Sequence, residues 1–239
     1  MKPDAIPELI AERVDLGMAR YRVYHSLMKG ALAEIIPTAS FDQRLRTQLA
    51  ADLSRILKSG AEGERERIQE TSRELLIAAE LPIDDDSFRY SIDATVDGLT
   101  TRLRTDARST LDLFRKITLH AHLASQRTTT FPQELFRRAY VELGEGFEFK
   151  QQDRRGRSYG AEVFWRNTLR SHYFNLVNET SMMQLAESGE QVGQIHAPGH
   201  DYHEWRFSLI EPLDGVKSFA DISAKVFHPN SDALVVRAA

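Results

Sequence analysis

Histidine is concentrated at one end of this chain. Five of the eight histidines fall between His172 and His228, and the densest run reads His196-Ala-Pro-Gly-His200-Asp-Tyr-His203. His200 and His203 are separated by two residues, the spacing at which one turn presents two imidazoles to one metal ion. His228 and Asp232, in His228-Pro-Asn-Ser-Asp232, can complete a tetrahedral set of nitrogens and a carboxylate. Such a site would be structural, with zinc tying together two turns of an element that has little core of its own. The other reading places these histidines in polar turns, bonded to backbone carbonyls or facing solvent. A second group of interest is basic. Lys150, Arg154, Arg155 and Arg157 stand against Asp153 in a segment that also holds Gly156, and read as an exposed loop. That loop would either meet a phosphate backbone or simply be solvated.

Other chemistry is excluded by what is missing. The chain has no cysteine, which removes disulfides, thiolate metal sites, iron–sulfur clusters and cysteine nucleophiles together. Its glycines are scattered singly, so no glycine-rich phosphate loop appears. There is no Gly-x-Ser-x-Gly elbow and no His-Glu-x-x-His pattern. Ser171 and His172 are adjacent on a helix and point in different directions, so they form no dyad by themselves.

The elements that must position these groups are mostly helices. The 239 residues are 41% hydrophobic and 28% charged, an ordinary globular balance, with 35 acidic against 31 basic side chains and a formal charge of −4. That balance does not suggest a generally basic nucleic-acid binder. No apolar run approaches the roughly 18 residues of a membrane span, and the first residues lack the apolar segment of a signal peptide, so no membrane association is expected.

From Pro7 to Ile36, Leu9, Ile10, Val14, Met18, Tyr21, Tyr24, Leu27, Met28, Leu32 and Ile35 make one stripe of a helix that Pro37 ends. Ser40-Phe-Asp-Gln43 reads as a capping box opening a second helix, which Ser59-Gly60 closes. A third helix covers about 62–80, a fourth runs from Asp86 or Ser87 to about Gln126, and a short one spans 133–143. A strong amphipathic helix covers about 159–188 and ends at Gly189. Beyond it the pattern predicts short strands near 194–196, 204–210, 224–227 and 233–237. Trp165, Tyr173 and Phe174 read as the core on which this β element docks. The fold class is α+β, predominantly α-helical: a helical domain over 1–143, a basic linker over 144–158, and a helix with a small β element over 159–239.

The last 80 or so residues carry an ordered succession of motifs: Arg166-Asn-Thr168, Asn178, Gly189, a strand around Gln194-Ile195, His200-Asp-Tyr-His203, Asp214-Gly215-Val-Lys-Ser-Phe219 and His228-Pro-Asn-Ser-Asp232-Ala233. In order and spacing this region resembles the phage Mu F-like head morphogenesis family, the minor capsid proteins of tailed bacteriophages. The cysteine pairs of that family are replaced here, by His200 and His203 at the first pair and by Ser231 and Ala233 at the second. The resemblance implies a non-enzymatic virion protein, assembled in the bacterial cytoplasm and present in few copies near the portal or head interior. It implies portal or other capsid proteins, further copies of itself and packaged DNA as partners. Two alternatives stand beside this. One is a head–tail connector bound at the portal; the other is a metal-dependent hydrolase or toxin-like enzyme using His200, His203, His228 and Asp232.

Overall fold

The computed structural model describes residues 3–39, 41, 44–152, 156–209, 213–228 and 231–238, with the backbone alone for residues 85, 87, 151 and 152. Helix α1 spans Ala5–Ile35 and passes into a short 3-10 turn, Ile36–Thr38. Then follow α2 (Arg44–Ala78), α3 (Asp85–Ser125) and α4 (Pro132–Leu143). Two short strands, β1 (Lys150–Gln152) and β2 (Ser158–Gly160), precede α5 (Ala161–Glu187). The chain closes with β3 (Val192–His196), β4 (Arg206–Ser208), β5 (Lys217–Ser218), α6 (Phe219–Val226) and β6 (Leu234–Arg237). The fold is α+β and mainly helical, with a small mixed sheet at the C-terminal end. Among the described residues no helix is long and apolar enough to cross a membrane.

The chain gathers into two compact units, each built from separate stretches. One takes Met1–Gly17, Arg65–Val96 and Arg166–Ala239; the other takes Met18–Glu64 and Asp97–Trp165. The boundaries expected near 143 and 158 both fall inside the second unit.

Two helix expectations need correction. The helices foreseen on either side of Ser59-Gly60 are one continuous α2. Glycine weakens a helix but does not end it when tertiary packing needs a small residue there. A Cβ at Gly60 would stand 3.2 Å from Leu103 Cδ1 and 3.4 Å from Tyr24 Cε1, so the position admits close approach of neighbouring helices. The segment around Ala224–Phe227 is helical, not a strand. Ser218 caps α6 by accepting from the Asp221 backbone N–H, while the Asp221 carboxylate accepts from the Ser218 backbone N–H. This reciprocal box needs only Ser and a carboxylate three residues on. The capping box foreseen at Ser40–Gln43 involves residues outside those described.

In the first unit the sheet runs in the order β5-β4-β3-β6, with β3 antiparallel to both β4 and β6 and β4 parallel to β5. Its apolar side buries Ile195, Phe207 and Val235 with Ile222 and Val226 of α6, and Met182 and Leu185 of α5 pack against this cluster. Helix α5 ends in a Schellman motif. Gly189 takes φ +82°, its N–H bonds the Ala186 carbonyl at 3.0 Å, and the Glu190 N–H reaches back to Leu185 O at 3.0 Å.

One side chain then joins the helix to the last strand. Asn178 is buried on α5; its Nδ2 donates to Ala233 O at 3.0 Å and its Oδ1 accepts from Val235 N at 2.9 Å. A carbonyl and an N–H on the edge of β6 away from β3 are thereby satisfied by an amide of the right polarity at both ends.

In the second unit Trp165 stacks on Tyr21, with centroids 4.6 Å apart and planes at 15°. Trp165 therefore packs with α1, and in the first unit Phe174, Met182 and Leu185 are the α5 side chains that stand by the β element. Replacing Asn178 by Ala strands a buried N–H and a buried carbonyl on the β6 side. We expect a loss of about 2–4 kcal/mol in denaturant unfolding, with hydrogen exchange at Val235 accelerating before that of β3.

Candidate functional site

The histidine-rich turn follows β3. Residues 197–205 form overlapping tight turns, in which His200 N bonds Ala197 O, His203 N bonds His200 O and Trp205 N bonds Tyr202 O. Within this frame His203 packs edge-on against His196, with centroids 5.4 Å apart, while His200 makes other contacts. His203 Nδ1 accepts from the Ala197 N–H at 3.1 Å, which assigns its proton to Nε2 when the ring is neutral. His200 stacks on Tyr202 at 4.8 Å, and its Nε2 lies 3.3 Å from Asp232 Oδ1, at ion-pair distance but not aligned as a hydrogen bond. His196 meets Asp4 at 2.7 Å. His228 is exposed on the far side of α6 in sequence.

Of the four residues foreseen as metal ligands, His200 and Asp232 are brought together. His203 is turned to its own backbone, and among the described residues no cluster of three or more such side chains is placed to hold a metal. Two donors are too few for a structural zinc, which takes four. The spacing predicts a ligand pair, but His203 is held by the Ala197 N–H and His200 by Tyr202, so the two rings do not converge on one ion.

The basic segment is a hairpin and not a loop throughout. Strands β1 and β2 pair antiparallel, with Lys150 opposite Gly160 and Gln152 opposite Ser158. Lys150 is exposed, with its Nζ 4.0 Å from a Glu148 carboxylate oxygen. Arg157 is exposed and stands 5.6 Å from the centre of the Tyr159 ring. Arg154 and Arg155 lie outside the described residues.

Two polar constellations escaped sequence reading. In the second unit, Asp106 is fully buried on α3 and accepts from Tyr21 Oη at 2.8 Å; it pairs with Arg102 one turn earlier and with His25 Nε2 at 3.2 Å. Burial, first, and the Asp106 carboxylate, second, push the Tyr21 hydroxyl far above its ordinary titration range, so it remains a donor. His25 lies between aromatic rings, 4.1 Å from Tyr21 and 4.0 Å from Phe149. It also lines a cleft of about 400 Å³ with Lys29, Glu148 and Glu162. A carboxylate that fixes an imidazole at the edge of a cleft is an arrangement able to move protons. The sequence signal, weak but present, was a pair of one-turn spacings: Tyr21 with His25, and Arg102 with Asp106.

In the first unit, buried His172 of α5 lies between two hydroxyls. Its Nε2 is 3.2 Å from Ser72 Oγ on α2 and its Nδ1 is 3.1 Å from Ser91 Oγ on α3. Adjacent Ser171 is no part of this. Desolvation holds the ring neutral and lowers its pKa from 6.5 to about 4. Because the unfolded chain then binds the proton more readily, this contribution is complete above pH 6.5 and is lost as pH falls toward 4. Roughly 3 kcal/mol is at stake. Unfolding free energies of the wild type and His172→Leu, followed from pH 7 to 4, should show the wild type losing about that much more than the variant.

Compared with family models, with curated proteins and with solved structures, the chain finds no match in any of the three.

Proposed function

We propose that this chain is a structural protein of a tailed bacteriophage, a minor head protein close to the portal that acts in capsid assembly, DNA packaging or DNA delivery. The observation that carries the reading is the ordered run of Mu F-like motifs from Arg166 to Ala233, taken together with the work those residues do. Asn178 joins α5 to β6, Gly189 turns the chain out of α5, and Gly215 takes φ +77° ahead of β5. The motif residues thus secure a small module, which is what a part held in an assembly requires. The partners under this reading are the portal protein, other capsid proteins and further copies of this chain. A head–tail connector is the close variant, favoured by the length of α1, α2 and α3, at 31, 35 and 41 residues.

Mass spectrometry of purified particles, from a host that carries the gene, tests the assignment. The chain should be present at a few copies per portal, and in tailless heads as well as complete virions. Presence in complete virions only would favour the connector, and absence from both would refute the structural role.

The basic hairpin supports contact with packaged DNA, since Lys150 and Arg157 are both exposed on it. Each phosphate contact contributes close to one unit to the dependence of log affinity on log salt. The double variant Lys150→Glu with Arg157→Glu should therefore flatten the salt dependence of duplex DNA binding by about two units. An unchanged slope in a filter-binding titration would remove the hairpin from the DNA-contacting surface.

A further inference from the structure

The first unit holds a partly enclosed cavity of about 140 Å³ between α5 and the turn that leads into β6. This is roughly ten times the minimum volume that admits one water molecule. Its polar lining comes from Arg170, Ser171, Asn175, Asn178, His228 and Ser231, with no carboxylate among the described lining residues.

Hydrogen-bond accounting shows which of these groups are already engaged. Both ends of the Asn178 amide are taken by the backbone of β6 and the residue before it. One Arg170 Nη donates to Ser231 O at 3.3 Å, and the guanidinium lies over Phe174, 4.8 Å from the ring centre. Arg170 Nε, however, is buried and has no hydrogen-bond partner. Leaving a buried, charged N–H unmet is costly, more so than for a neutral group. Ser231 is buried too; its Oγ accepts from the Ala233 N–H at 3.1 Å, which leaves its proton to donate. The nearest acidic group in sequence, Asp232, has its Oδ1 beside His200.

The cavity is therefore walled by a cation fixed on an aromatic ring and by a hydroxyl that accepts from the backbone and keeps its proton to donate, with an imidazole at its edge. A group that brings acceptors and negative charge complements the Arg170 Nε–H and the Ser231 hydroxyl.

We propose that this cavity binds a compact oxyanion of the phosphate class. The Arg170 Nε–H and the Ser231 hydroxyl donate to its oxygens, and His228 closes the site. Arginine suits this role because its fork offers charge-assisted bonds in a fixed geometry. The site goes beyond the structural role proposed above and does not depend on it.

Isothermal titration of the full chain with sodium phosphate, against sodium chloride at matched ionic strength, tests the assignment. Saturable binding of phosphate with no response to chloride is expected. Asn175→Glu sets a carboxylate at the exposed rim without touching the core and should weaken phosphate binding at least tenfold, with an unchanged circular dichroism spectrum. Arg170→Lys keeps the charge but loses the fork and should weaken binding to a similar degree. No saturable binding would overturn the proposal. So would binding that both variants leave intact, which would place the anion elsewhere, or acetate binding as tightly as phosphate, which would make the site one for carboxylates.

Discussion

Taking a carboxylate out of water costs several kcal/mol unless cations and hydrogen-bond donors meet it where it is buried. Glu64 and Asp106 are both almost completely shielded from solvent. Glu64 is met by Arg20 at 2.9 Å and by the Tyr24 hydroxyl at 3.0 Å; Asp106 is met by Arg102, Tyr21 and His25. A helix can slide along a purely apolar neighbour at small cost, but one shift of a turn here would strand a charge. Partnered burial of this kind sets the register of α1 against α2 and α3 in the second unit, and the stacked Tyr21 and Trp165 rings pack against the same network.

The first unit uses neutral groups to the same end. His172 is held uncharged between Ser72 and Ser91, so that three helices share one polar contact without a buried ion. Asn178 supplies the other fixed point, because its amide satisfies a carbonyl and an N–H at once along one strand. The sheet is small, and its outermost strand β5 has only two residues. Its apolar cluster with α5 and α6 holds it in place, and the Asn178 bonds and the α6 capping box add directional contacts that fix its register.

Much of the helical framework was legible in the residues. The stripe from Ile10 to Ile35, the break between residues 80 and 86 and the glycine exit at Gly189 are local features, governed by periodicity and by the φ values that proline and glycine prefer. The two errors were also local in origin. Ser59-Gly60 looks like a stop when read alone, and only the nearness of Tyr24 and Leu103 explains a glycine inside a helix. The apolar Ala224–Phe227 looks like a strand until Ser218 is paired with Asp221.

Side-chain groupings followed the opposite rule. The spacing of His200 and His203 suggested a shared ion, yet His203 bonds its own turn and His200 finds Asp232. The His25–Asp106 pair spans 81 residues and the His172–Ser72 pair spans 100, and no spacing rule reaches that far. The sequence by itself therefore determined most of the stretches that coil, because those preferences act over a few neighbouring residues; where α2 continues and where α6 begins depended on contacts beyond them. Only the tertiary structure decided which polar side chains meet. Each polar group has many acceptable partners along the chain, and the packing of apolar faces selects among them.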